Sequence, residues 1–103
     1  DYNKQQIDGT VAEVNDIAPL GEKWAAFGWN VIDVEDGNDI EQVEAAVEHA
    51  KLGLDSGKPT MIILNTLKGC GVKWIEELGS GNHNCPVSEE QAEAAIREIR
   101  GED

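Results

Sequence analysis

The sequence predicts an α/β fold built on a parallel sheet, present here as a partial domain covering residues 1–103. Three observations lead there. Helical and strand signals follow one another as helix, strand, helix, strand, loop, helix, the order of parallel strands joined by helical crossovers. The run Thr60-Met-Ile-Ile-Leu-Asn-Thr66 is apolar on both faces, which fits a strand covered by helices on each side. Only two clear strands are found, so the chain reads as part of such a sheet.

The chain opens on a polar run, Asp1 to Gly9, whose Asp8-Gly9 end is turn chemistry. A turn with no Met, strand or helix leading into it is expected in a piece of a longer protein. Residues 1–19 lack sustained periodicity and are expected to form an extended loop. A short helix follows from about Leu20 to Phe27, stopped by Gly28, and Val31-Ile-Asp-Val34 is a brief β-branched run that reads as a buried strand. Asp36-Gly37 breaks the chain.

The clearest helix starts at Asn38, a good N-cap, with Glu41 placed to reach back to its N–H. Ile40, Val43, Val47, Ala50 and Leu54 recur at steps of three and four and predict one apolar stripe. Gly57 and Pro59 end this helix. After the second strand, Lys68-Gly-Cys-Gly71 is a tight turn and residues 72–86 a glycine-rich loop. The last helix begins at Ser88 with Gln91 as capping partner, and its spacing predicts Ala92, Ala95, Ile96 and Ile99 facing inward.

Composition narrows the function classes. One domain at most fits in 103 residues, and one Phe, one Tyr and three Trp permit only a modest core. Eight basic against 21 acidic residues give a net charge of −13, which argues against nucleic acid and anionic membranes as partners. The acid is spread along helices, as on a solvated face. No apolar run approaches the roughly 20 residues of a membrane span and no signal-peptide pattern is present, so a cytoplasmic location is expected. Cys70 and Cys85 then read as reduced thiols. They lack zinc-site spacing, and Cys85 lies too close in sequence to His83 for a nucleophile pair.

Five segments carry a resemblance. Asp1-Tyr-Asn-Lys-Gln-Gln-Ile-Asp-Gly9, Pro19 to Ile32, Lys58 to Thr66, Lys68-Gly-Cys-Gly-Val72 and Asn82-His-Asn-Cys-Pro86 resemble, in order and spacing, segments of the transketolases. The likeness covers essentially the whole chain. It is strongest to the N-terminal, thiamine diphosphate-binding subunit of split bacterial enzymes, whose C-terminal portion this chain resembles. It implies the thiamine diphosphate-binding α/β fold, thiamine diphosphate and Mg2+ as cofactors, and transfer of a two-carbon ketol unit between sugar phosphates. It also implies a partner, the C-terminal transketolase subunit, and an oligomeric enzyme.

The resemblance assigns residues one by one. Asn3 would give Mg2+ a side-chain oxygen and Gln5 its main-chain carbonyl, hard donors that add no charge beside a diphosphate; alone, an Asn in a turn reads as structural. Lys68 follows a strand, where α/β proteins place ligand contacts, and would pair with the cofactor's diphosphate; a solvated turn lysine is the plain alternative. His83 lies in a Gly-Ser-Gly-Asn-His-Asn loop and would contact both cofactor and sugar, since imidazole exchanges protons near neutrality; an exposed loop histidine is the alternative. Asn84 stands where relatives usually carry Gly, and Asn30 where they carry His, the latter with a structural effect. His49 reads as a surface residue, and Trp24, Phe27 and Trp29 as core or subunit contacts.

Three family requirements have no match here: the Gly-Asp-Gly aspartate that completes the metal site, the earlier substrate histidines, and the carboxylate that activates the cofactor's aminopyrimidine. The chain alone is therefore expected to lack transketolase activity. The competing expectations are another thiamine diphosphate enzyme, such as a deoxyxylulose phosphate synthase or a dehydrogenase first component, and a non-catalytic remnant or interaction module. The Gln-Ile-Asp-Gly and Gly-Trp-Asn-Val segments favour transketolase over the other enzymes.

Overall fold

The structure, a computed structural model, describes residues 1–102. Two five-residue strands, β3 (Asn30–Val34) and β4 (Thr60–Leu64), pair in parallel with Asn30 opposite Thr60 and Val34 opposite Leu64. Since side chains alternate across a strand, Val31, Asp33, Met61 and Ile63 share one face and Ile32, Val34, Ile62 and Leu64 the other. Helix α2 (Leu20–Ala26) lies on the first face, its Gly21 against Val31 and Ile63. Helix α3 (Ile40–Leu52) crosses between the strands and packs on the second face. The expected α/β arrangement, a strand pair covered on both sides, is what forms.

The first 19 residues correct the extended-loop expectation. Gln5–Gln6 (β1) and Gly9–Thr10 (β2) form a small antiparallel hairpin, and Val11–Asn15 (α1) is a helical turn. Helix α1 is held by a capping box: the Thr10 hydroxyl accepts from Glu13 N–H, while Glu13 Oε2 accepts from the Thr10 hydroxyl at 2.7 Å and the Thr10 N–H at 3.1 Å. Thr-x-x-Glu was visible in the sequence, but it precedes too short an apolar run to register as periodic.

Helix α3 departs from expectation at both ends and along its face. Its N-cap is Asp39, whose Oδ1 accepts from Glu41 N–H at 2.9 Å. Asn38 instead accepts the Leu67 N–H at 2.7 Å, a bond across 29 residues, and Gln42, not Glu41, reaches back to the cap. The helix stops at Gly53, and a 3-10 turn (Leu54–Ser56) runs on to a left-handed Gly57. Of the predicted stripe only Val43 and Ala50 are half-buried; Ile40, Val47 and Leu54 are exposed, and Ala46 is the buried residue. Two short strands offer a narrow surface, so one line of small side chains meets it.

The 72–86 stretch is also more regular than predicted, with a helix at Lys73–Glu77 (α4) and a 3-10 turn at Gly79–Asn82. Helix α5 (Glu89–Arg100) has the expected Ser88–Gln91 capping box. Ala92 and Ala95 are half-buried, but Ile96 and Ile99 are 49% and 66% exposed, correcting the inward assignment. Helix α5 touches α4 through the Glu98 carboxylate, which accepts the Lys73 N–H at 3.0 Å, and no sheet lies beneath it. Among the described residues the buried apolar side chains are Val34, Ala46, Ile63 and Val72, and no helix is long and apolar enough to cross a membrane.

The capping box generates a prediction. The Thr10 hydroxyl, and then its N–H, hold the Glu13 carboxyl below its ordinary range. A depressed carboxyl contributes stability that is present above its unfolded pKa and lost as pH falls through its folded pKa. In Thr10→Val the Glu13 titration, followed by carboxyl NMR, should move up toward the ordinary value, and the variant's deficit should vanish in acid. An unmoved titration overturns this.

Candidate functional site

The loops that leave the C-terminal ends of β3 and β4 are locked together by short polar bonds. Asn65 Nδ2 donates to Val34 C=O at 2.8 Å and to the Asp33 carboxylate. Gly37 N–H donates to Asn65 C=O at 2.8 Å, and a Cβ on Gly37 would stand 2.7 Å from Leu64 Cβ, so only glycine admits this approach. The N-terminal turn joins the same end. Tyr2 N–H donates to Leu64 C=O at 2.8 Å, and the Thr66 hydroxyl donates to Asp1. Between these segments lies an open cleft of about 410 Å³ lined by Asp1, Asn3, Asn38, Lys68, Cys70 and Ile75 among others.

Asn3 and Gln5 are arranged as one turn. Asn3 Oδ1 accepts the Gln5 N–H at 2.9 Å, and Lys4 between them is left-handed, at φ 61°, a conformation that costs a non-glycine residue roughly 1–2 kcal/mol. Lys4 C=O accepts the Val11 N–H at 2.9 Å, so Lys4 faces the hairpin partner. Alternation of an antiparallel ladder then turns the Gln5 carbonyl away from β2, to the edge where Asn3 lies. Two uncharged oxygens on one edge fit a hard cation such as Mg2+. Among the described residues no three His, Cys, Asp or Glu side chains form a metal site.

Lys68 sits in the turn after β4. Gly69 is left-handed at φ 86°, with Ile75 Cγ2 2.5 Å from where a Cβ would be. Lys68 Nζ lies 3.4 Å from His83 Nδ1. An ammonium can only donate, so a hydrogen bond here requires Nδ1 to be bare. His83 is exposed, and Asn84 after it is left-handed at φ 59°, the angle at which Asn substitutes for Gly. The cleft is thus lined by Asn3 and Lys68. His83 stands outside the lining and meets it through Lys68; Gln5 stands outside it and meets it through Asn3. Asp1 lines it too, although the resemblance assigns it no role.

Three polar residues take site roles that the sequence reading did not give them. Asn38 ties the β3 loop to Leu67. Ser80 Oγ donates to Gln5 Oε1 at 2.7 Å. Asn82, 8% exposed, donates to Lys68 C=O at 3.3 Å and Ile75 C=O at 3.2 Å. Polar residues in a glycine-rich stretch give no signal of burial, so nothing in the sequence marked Ser80 and Asn82. Elsewhere, Asn30 donates to Ser56 Oγ at 3.1 Å, the structural role expected of it; His49 is exposed, and both cysteines are free. Trp24 and Trp29 meet edge to face at 4.7 Å, while Phe27 is 82% exposed.

Known proteins place the chain. The family described as "Transketolase, thiamine diphosphate binding domain" matches residues 1–103. This chain belongs to that family. It is 47% identical over 103 residues to the 6-deoxy-6-sulfo-D-fructose transketolase subunit SqwG of a Clostridium species, covering 99% of this chain and 36% of the relative. An apulose-4-phosphate transketolase subunit from Phocaeicola vulgatus is 33% identical over 99 residues, 96% of this chain and 34% of its own. A transketolase from Geobacillus stearothermophilus is 32% identical over 93 residues, covering 89% of this chain and 13% of that protein. The chain therefore spans about a third of the length of the two subunit relatives.

The Lys68 turn depends on glycine. Gly69→Ala should lower stability by about 1–3 kcal/mol through overpacking against Ile75, with left-handed strain added, read from the urea midpoint. Gly81→Ala, whose Cβ would meet only Leu78 Cβ at 4.0 Å, should stay within about 0.5 kcal/mol of wild type.

Proposed function

We propose that the chain is part of the thiamine diphosphate-binding subunit of a split transketolase, which moves a two-carbon ketol unit between sugar phosphates with Mg2+ as metal. The observation that carries this is the meeting of the Asn3–Gln5 turn, the Lys68 turn and the His83 loop at one end of a parallel sheet, where α/β folds place ligands. The subunit names of the relatives support it.

Each residue has a chemical task in this reading. Asn3 Oδ1 and the Gln5 carbonyl would offer Mg2+ two neutral oxygens, hard donors that add no charge beside a diphosphate. The Lys68 ammonium neutralises diphosphate charge at the cleft wall. His83, with Nδ1 engaged by Lys68, holds its proton on Nε2 and exchanges it with a sugar hydroxyl near the reacting carbons. Thiamine diphosphate, when bound, supplies the nucleophilic carbon and electron sink that carry the two-carbon unit. The carboxylate that activates its aminopyrimidine comes from a partner, the C-terminal transketolase subunit, and the work takes place in the cytoplasm within an oligomer.

Calorimetric titration of thiamine diphosphate into the assembled enzyme tests the reading. Binding should require Mg2+, and Asn3→Ala should raise the apparent Mg2+ dissociation constant by about tenfold or more. The 103-residue chain by itself should show no ketol transfer. Metal-independent binding that Asn3→Ala leaves untouched would favour an interaction module that keeps the family's sequence without its chemistry.

A further inference from the structure

Asn82 is a buried amide immediately before His83, and its two donor protons go to different elements. Nδ2 donates to Lys68 C=O in the turn after β4 and to Ile75 C=O in α4. Its Oδ1 is buried with no partner. An apolar side chain would fill this position without stranding an acceptor, so packing does not account for an amide here. The two bonds do: they fix the Lys68 turn against the 3-10 turn from which His83 emerges. The other end of that turn is fixed by Ser80, whose hydroxyl bonds Gln5 and whose carbonyl accepts the His83 N–H at 3.3 Å. The second unpartnered buried atom among the described side chains is Trp74 Nε1, on α4 one residue before Ile75.

We propose that Asn82 is a positioning residue: its side-chain amide holds the Lys68 turn and the His83 loop in register, so that Lys68 engages His83 Nδ1 and Nε2 is presented to substrate. This deepens the reading of His83 given above and rests on it. Asn82 itself touches no reacting atom. Loss of the clamp leaves the turns in place but frees their spacing, and a misplaced group of this kind slows the chemical step more than it weakens binding.

The test uses Asn82→Ala, Asn82→Asp and His83→Ala in the assembled enzyme, together with ring-nitrogen NMR of His83 in the same enzyme. Asn82→Asp keeps the shape but turns a donor into an acceptor facing two carbonyls. Both Asn82 variants should lower kcat about 10–100-fold with thiamine diphosphate affinity within about threefold of wild type. Asn82→Ala with His83→Ala should be no slower than His83→Ala alone. Multiplying losses in the double variant overturn the proposal. A His83→Ala enzyme with wild-type kcat defeats the role of His83 instead, and the clamp is then judged by NMR. In the wild-type spectrum Nδ1 should be unprotonated and the Asn82 amide protons slow to exchange, and Asn82→Ala should shift the ring nitrogens toward a mixed tautomer. Free-amide exchange rates in the wild-type enzyme overturn the clamp whether or not the variants fold.

Discussion

The parallel pairing of β3 with β4 is the constraint on which the rest of the structure depends. In register from Asn30–Thr60 to Val34–Leu64, it brings both strands to an end at the same level. The loop carrying Asn38 and the loop carrying Lys68 therefore leave side by side. Parallel strands need a crossover, and α3 supplies it while covering one face. The N-terminal turn reaches that end through a single backbone bond, Tyr2 N–H to Leu64 C=O. Loss of this register would separate Asn3, Lys68 and His83, although each would keep its local turn.

What holds the loops is amide chemistry rather than apolar packing. Asn38, Asn65 and Asn82 each bond a backbone group of another loop or strand. Asn is suited to this because it offers donor and acceptor on a short, uncharged stem. Ion pairs contribute little: among the described residues the salt bridge is Lys51 with Glu48, both more than half exposed, and exposed pairs of this kind add about 0–1 kcal/mol. The cleft sets one lysine, Lys68, against the Asp1 carboxylate and the neutral amides of Asn3 and Asn38, in a chain of net charge −13.

The chain is flat and open. Its extents are 51 × 32 × 16 Å and its radius of gyration is 16.9 Å, against about 13 Å for a compact domain of this length. Its accessible surface is 7429 Å², against roughly 5,700 Å² from the scaling for compact monomers of this mass. Phe27 and Leu52 are 82% and 85% exposed. A two-stranded sheet with one helix on each face does not have the area to cover them.

The sequence by itself determined whatever depends on neighbours within about four positions: the alternation of helix and strand and the Ser88–Gln91 cap. The family segments were equally plain, because they are contiguous. Only the tertiary structure decided what depends on partners far along the chain. Asp39 caps α3 because Leu67, 29 residues from Asn38, takes the Asn38 side chain. Ile96 and Ile99 stay exposed although their spacing is amphipathic, because periodicity states which face is apolar and not whether anything meets it. The proximity of Lys68 to His83, across 15 residues, and the burial of Asn82 between their turns leave no periodic trace in the sequence. Both come from how separate loops are stacked at the end of one strand pair.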